Sequence, residues 1–172
     1  ERLVSLVEEA RQIPSLELVA FTGGECFLLR HRLDELIALA NKLSLKTRCV
    51  TSGYWASSPR VAEERVQRLV SAGLTEINFS TGEFHARDVP PERVVYGALA
   101  TARAGITTLI NIEIFEASGF DPTCITEVPD LKAMSLAGLV KIQRNVWIEN
   151  GGSQDLTHAK EHSRFTEDRI SG

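Results

Sequence analysis

One unit recurs four times along this sequence: apolar residues at helical spacing, a short apolar run and a polar loop, with a glycine or proline stop after three of the four helices. Leu3, Leu6, Val7, Ala10 and Ile13 share one helix face, Pro14 ends it, and "LELVAF" (16–21) follows as a strand. Leu33, Leu36, Ile37, Ala40 and Leu43 mark a helix over 31–44 that leads to "KTRCVT" (46–51). Ser58 and Pro59 read as an N-cap with proline in the first turn, opening a helix to about Ser71 that Gly73 stops before "TEINFS" (75–80). Pro90-Pro91 opens a helix carrying Val94, Val95, Ala98, Leu99 and Ala102, which Gly105 ends before "ITTLINIEIF" (106–115).

Strands that alternate with helices of this length must run parallel, because a tight turn cannot join a parallel pair. The expected fold class is therefore α/β, a partial (β/α) barrel with parallel strands and outer helices. The strands read as near-continuous apolar runs, which predicts a sheet covered on both faces. In open α/β sheets and in β/α barrels the ligand lies at the carboxyl edge of the strands. That edge corresponds to the loops 22–30, 52–58, 81–89 and 115–123, which hold the unusual polar residues.

Beyond residue 120 the pattern weakens, although "GLVKIQRNVWI" (138–148) reads as a fifth strand. Residues 1–148 are expected to form the barrel portion. Residues 149–172 are polar and marked by glycine, and read as an extended tail or the start of a further region. His158 and His162 stand four apart in that tail, a spacing that can clamp a metal on a helix, but they lack a third ligand and read as solvated.

With a formal charge of −4 and no basic cluster, the sequence points away from nucleic acid. No apolar run approaches a membrane span, so a soluble cytoplasmic protein is expected. Cys26, Cys49 and Cys124 form neither a disulfide framework nor a Cys-x-x-Cys site, and Cys49 and Cys124 read as apolar filler in strand-like surroundings.

Three segments, "TGGECFLL" (22–29), "VTSGY" (50–54) and "INFSTGEFHARDVPPERV" (77–94), stand at the ends of successive strands. Together they resemble the radical S-adenosylmethionine (radical SAM) enzymes over residues 1 to about 115. The first is similar to that family's Gly-Gly-Glu segment, with Cys26 where proline is common. The second is similar to its Thr-Asn-Gly region, and the third to its Ser-x-Asp-x-Phe-His stretch, with Gly82 in place of the acid. The resemblance implies that Gly23, Gly24 and Glu25 hold the amino group of S-adenosylmethionine. Ser52 and Ser80 would bond its carboxylate or ribose, and Asn111 its ribose.

It also implies an enzyme that reductively cleaves S-adenosylmethionine at a 4Fe-4S cluster to start radical chemistry on a small molecule or a peptide, with electrons from an external donor. The family's Cys-x-x-x-Cys-x-x-Cys loop does not occur in these 172 residues. The ligating cysteines are therefore expected upstream of Glu1, and the 172 residues alone are expected to be inactive. The residues identify no catalytic group and no metal ligand.

Other readings stay open. Gly23-Gly24 can be a plain turn, Asn111 a satisfied core amide, and Phe84-His85 a loop closure. At the level of function, the chain can be a degenerate, non-catalytic barrel that binds or scaffolds. It can also be an iron-independent β/α-barrel enzyme using Glu25, His85 and Glu113 for acid-base work.

Overall fold

The computed structural model describes residues 2–115 and 119–147. In chain order the elements are α1 (Arg2–Ala10), β1 (Leu18–Phe21), α2 (His31–Lys42), β2 (Lys46–Thr51), α3 (Pro59–Ala72) and β3 (Glu76–Gly82). They continue with α4 (Pro91–Arg103), β4 (Thr107–Phe115), α5 (Thr123–Thr126), α6 (Pro129–Leu136) and β5 (Val140–Trp147). Two short 3-10 turns, Cys26–Leu29 and His85–Arg87, lie in the loops after β1 and β3. The tail, with His158 and His162, lies outside the described residues.

All five strands are parallel and pair in chain order, β1-β2-β3-β4-β5. A right-handed crossover that always steps in one direction leaves its helix on the same face each time. The sheet is therefore wound singly, as in an open part of a (β/α) barrel, and this agrees with the expected α/β class. The α2, α3 and α4 helices carry Leu33, Ile37, Val66, Leu69, Val94 and Ala98 into a common core with Cys49, Ile77, Phe79, Ile110 and Ile112 from the strands. Each large aliphatic or aromatic side chain fully withdrawn from water there contributes about 1.5–3 kcal/mol.

The expectation of a sheet covered on both faces does not hold among the described residues. Thr47, Cys49 and Thr51, then Ile77, Phe79 and Thr81, then Thr108, Ile110 and Ile112, are buried against helices. Their neighbours Arg48, Val50, Glu76, Asn78, Ser80, Leu109, Asn111 and Glu113 face the other way and stay half-exposed. Val50 and Leu109 made the strands read as continuous apolar runs, yet the rows they belong to are mostly polar. An Arg48–Glu76 ion pair at 2.6 Å bridges β2 and β3 on this open face.

Local chemistry fixes the element ends. Ser58 Oγ accepts from Val61 N at 3.3 Å with Pro59 in the first turn, and Gly73 closes α3 at φ 89°. The third strand runs to Gly82, past the expected end at Ser80, because Gly82 still pairs with Glu113. A Cβ on Gly82 would lie 2.0 Å from the Glu113 carbonyl oxygen, and its φ is +127°. Only glycine fits this crossing, which explains why an acid cannot stand there. The fifth strand forms as expected, whereas α5 and α6 fill a stretch where the sequence pattern fades.

Gly82→Ala is expected to cost at least about 3 kcal/mol, from steric overlap and from a disfavoured φ. Gly24, where an added methyl would meet nothing within 4 Å, should accept alanine within about 1 kcal/mol. Urea denaturation midpoints of the two variants check the contrast; equal losses would contradict it.

Candidate functional site

The carboxyl ends of β1 to β4 meet along one edge, and the segment Gly23–Glu25 forms its first corner. Gly23 takes φ +93°, and both glycines are exposed with open space beside them, so their backbone is accessible from outside. Glu25 is extended and caps the 3-10 turn that follows, accepting from Phe27 N at 3.1 Å. Its carboxylate then reaches across to the end of β2. There it accepts from the Thr51 hydroxyl at 2.9 and 3.0 Å, from Ser52 N at 2.9 Å and from the Ser52 hydroxyl at 2.7 Å.

A carboxylate offers about four lone-pair sites, and four donors from its own chain occupy them. The first role of Glu25 is therefore to fasten the β1 loop to β2. Of the four donors the Ser52 hydroxyl is the one that can rotate away freely.

Thr51 serves two neighbours as well, accepting from Gly53 N at 3.1 Å and from Trp55 Nε1 at 3.2 Å. Trp55 stacks on Phe27 with ring centroids 4.7 Å apart and planes 10° from parallel, and it meets Phe79 at 6.2 Å. The Arg65 guanidinium lies over the Phe27 ring, 5.2 Å from its centroid. No periodicity or motif marks this aromatic column in the sequence; the two aromatics of "SGYWASS" are its only visible trace.

The register places the remaining candidates in one row. Ser80 pairs with Asn111, and Asn111 with Gln143. Because Thr51 pairs with Phe79, Ser52 comes level with Ser80 one residue further on. Ser80 and Asn111 are half-exposed on the open face, so Asn111 is not an amide of the helix-covered core. Ser52, Ser80 and Asn111 thus share one face at the strand ends, and Glu25 bonds the Ser52 hydroxyl from the neighbouring loop that also holds Gly23 and Gly24.

His85, on the short turn after β3, is half-buried, and its Nδ1 has no hydrogen-bond partner among the described residues. No hydrogen bond links it to Glu25 or Glu113 among those residues. Around it, Phe84 packs edge-on to Phe115 at 4.7 Å, and Arg87 lies 5.0 Å over Phe84 while pairing with Glu83 at 3.3 Å.

The cysteines divide. Cys26 and Cys49 are both buried, and Cys26 Sγ donates to Val50 O at 3.3 Å. The neighbouring Cys26 side chain first, and burial second, push the Cys49 thiol above its ordinary range, which suits packing. Cys124 departs from the expected filler role, since it is exposed on α5. Among the described residues no three of His, Cys, Asp and Glu gather as a metal would require, and no helix is long and apolar enough to cross a membrane.

Fold and edge together define an α/β protein with a singly wound parallel sheet and an open polar row at the strand ends. The chain matches no protein-family model. Over 86 residues it is 27% identical to YydG of Bacillus subtilis (strain 168), whose name assigns it provisionally to peptide biosynthesis. That match covers 50% of this chain and 27% of the length of the relative.

Glu25→Ala is expected to cost about 1–3 kcal/mol with no ligand present, since it strands four donors. Thermal or urea unfolding measures this, and an unchanged midpoint would remove the clamp assignment. Tyr54 supplies a second readout, because burial first and the Glu25 charge second raise its pKa above the ordinary tyrosine value. The stability tied to neutral Tyr54 is fully present below about pH 10 and is lost as pH rises through the higher folded value. In a Tyr96→Phe background, ultraviolet titration should show Tyr54 ionising late, and part of that delay should vanish in Glu25→Ala.

Proposed function

We propose that this chain is the S-adenosylmethionine-binding part of a radical SAM enzyme that modifies a peptide. One observation carries the reading: three family-like segments, far apart in sequence, bring Gly23–Glu25, Ser52 and Ser80 to one strand-end edge, where Ser80 pairs with Asn111 of β4. The similarity to a protein named for peptide biosynthesis supports the peptide part of the reading.

The residues suit S-adenosylmethionine. Exposed backbone at Gly23 and Gly24 gives the methionine portion room to lie close, and the Glu25 carboxylate offers charge-assisted acceptance to its ammonium once the Ser52 hydroxyl turns aside. The displaced hydroxyl then becomes a donor for the methionine carboxylate. Ser80 and Asn111, side by side on the open face, supply a hydroxyl and an amide to the ribose. The buried Cys26 and Cys49 and the separate Cys124 do not form a triad for a 4Fe-4S cluster. A 4Fe-4S cluster would have to be held by residues other than these three cysteines, and would supply the electron, drawn from an external donor, for reductive cleavage of S-adenosylmethionine.

The test uses the full-length protein, purified anaerobically with iron. It should bind S-adenosylmethionine by calorimetry, and the Ser80→Ala/Asn111→Ala double variant should bind at least about tenfold more weakly, the equivalent of 1.4 kcal/mol. Both side chains are half-exposed, so the fold should tolerate the change. Unchanged affinity in that variant, or full turnover in iron-free protein, overturns the reading.

A further inference from the structure

On the outer side of the Phe27–Trp55 column, a cleft of about 430 Å³ opens between the first turns of α2 and the middle of α3. Phe27 and Trp55 form its apolar wall, and Arg30, His31, Arg65 and Arg68 line it together with Asp34 and Glu64. Both carboxylates are engaged. Asp34 holds Arg65 through two contacts, at 2.8 and 2.6 Å, and Glu64 pairs with Arg60. Arg30 and Arg68 have no ion-pair partner among the described residues. In a chain of net charge −4, this cleft is a local reversal of sign.

Arg30 has a further peculiarity. It sits at φ 54° and ψ −125°, a conformation that suits glycine and strains a side chain. Hydrogen bonds from Arg30 N to Phe27 O at 3.1 Å and from Leu33 N to Arg30 O at 3.2 Å hold it there. The fold thus keeps a guanidinium at the rim of the cleft where a glycine would relax the turn.

We propose that this cleft seats an acidic segment of a peptide partner, with carboxylate side chains on Arg30 and Arg68 and an adjacent apolar side chain against Trp55. An inorganic anion would leave most of about 430 Å³ and the aromatic wall unused. A carboxylate-bearing peptide matches both the planar donors of arginine and the apolar wall. The identification of the ligand as a peptide rests on the proposed peptide-modifying function, while the anion preference rests on the side chains alone.

The test titrates full-length protein with a capped Glu-Glu-Leu-Glu peptide, its Gln-Gln-Leu-Gln counterpart and inorganic phosphate, following tryptophan fluorescence. The acidic peptide should give a saturable change that Trp55→Phe abolishes and that weakens as salt rises. Arg68→Glu and Arg30→Gly should each weaken binding at least tenfold, and glycine relieves the turn, so loss of fold is not at issue in the second. Both variants should bind S-adenosylmethionine as the unaltered protein does, which separates failure here from failure of the cofactor site. Equal binding of the glutamine peptide, displacement by phosphate at matching concentration, or no saturable change overturns the proposal.

Discussion

Four hydrogen bonds to one carboxylate hold the functional edge together. Glu25 stands at the end of the four-residue strand β1, an edge strand paired on one side only. Such a strand would leave its following loop poorly anchored, since few ladder bonds fix its direction. The Glu25 carboxylate corrects this by taking donors from its own turn and from residues 26 and 27 positions further along. Once that tie is made, the positions of Phe27, Trp55 and Arg65 follow, because Phe27 is bonded to the clamp and the other two pack on its ring.

The single winding of the sheet explains why the edge is accessible. Helices stacked on one face supply the whole apolar core, and the opposite face keeps a row of serines, asparagines and charged residues that water still reaches. A doubly covered sheet would have to satisfy Asn78, Asn111 and Glu113 internally at considerable cost. Here the same residues remain available to a ligand. The two sides of the strands therefore differ, one carrying the apolar core and the other staying polar and open.

Much of this was legible in the sequence, and for definite reasons. Proline at the start and glycine at the end bracket α3 and α4, and regular apolar spacing alone marks α2, so all three lie close to where periodicity puts them. Parallel order followed from helix-length connections. The failures are equally physical. Val50 and Leu109 imitate a strand buried on both faces, although only their neighbours enter the core. The α5 and α6 segments are a single turn and a short helix with one fully buried anchor each, Ile125 and Leu131, too few to make a period. The motif glycines and Glu25 could be picked out as a corner at the strand ends. Its saturation by Thr51 and Ser52 could not, because that depends on a contact across 26 and 27 positions that no local pattern encodes.

The proposed function would give Glu25 a second duty besides the clamp, and that has an energetic logic. A free carboxylate aimed at an open edge would be well hydrated, and binding a cation there would first require its water to leave. A carboxylate already bound by fixed donors has lost that water on folding, and the donors hold its orientation. Admitting an ammonium then exchanges one neutral hydroxyl bond, that of Ser52, for a charge-assisted one, while Phe27 N, Thr51 and Ser52 N keep their places. The corner can thus accept a ligand without dismantling the tie that positions it. The same turn passes its rigidity to the cleft on the far side of Phe27, so the rim carrying Arg30 is held by the fold rather than by any occupant.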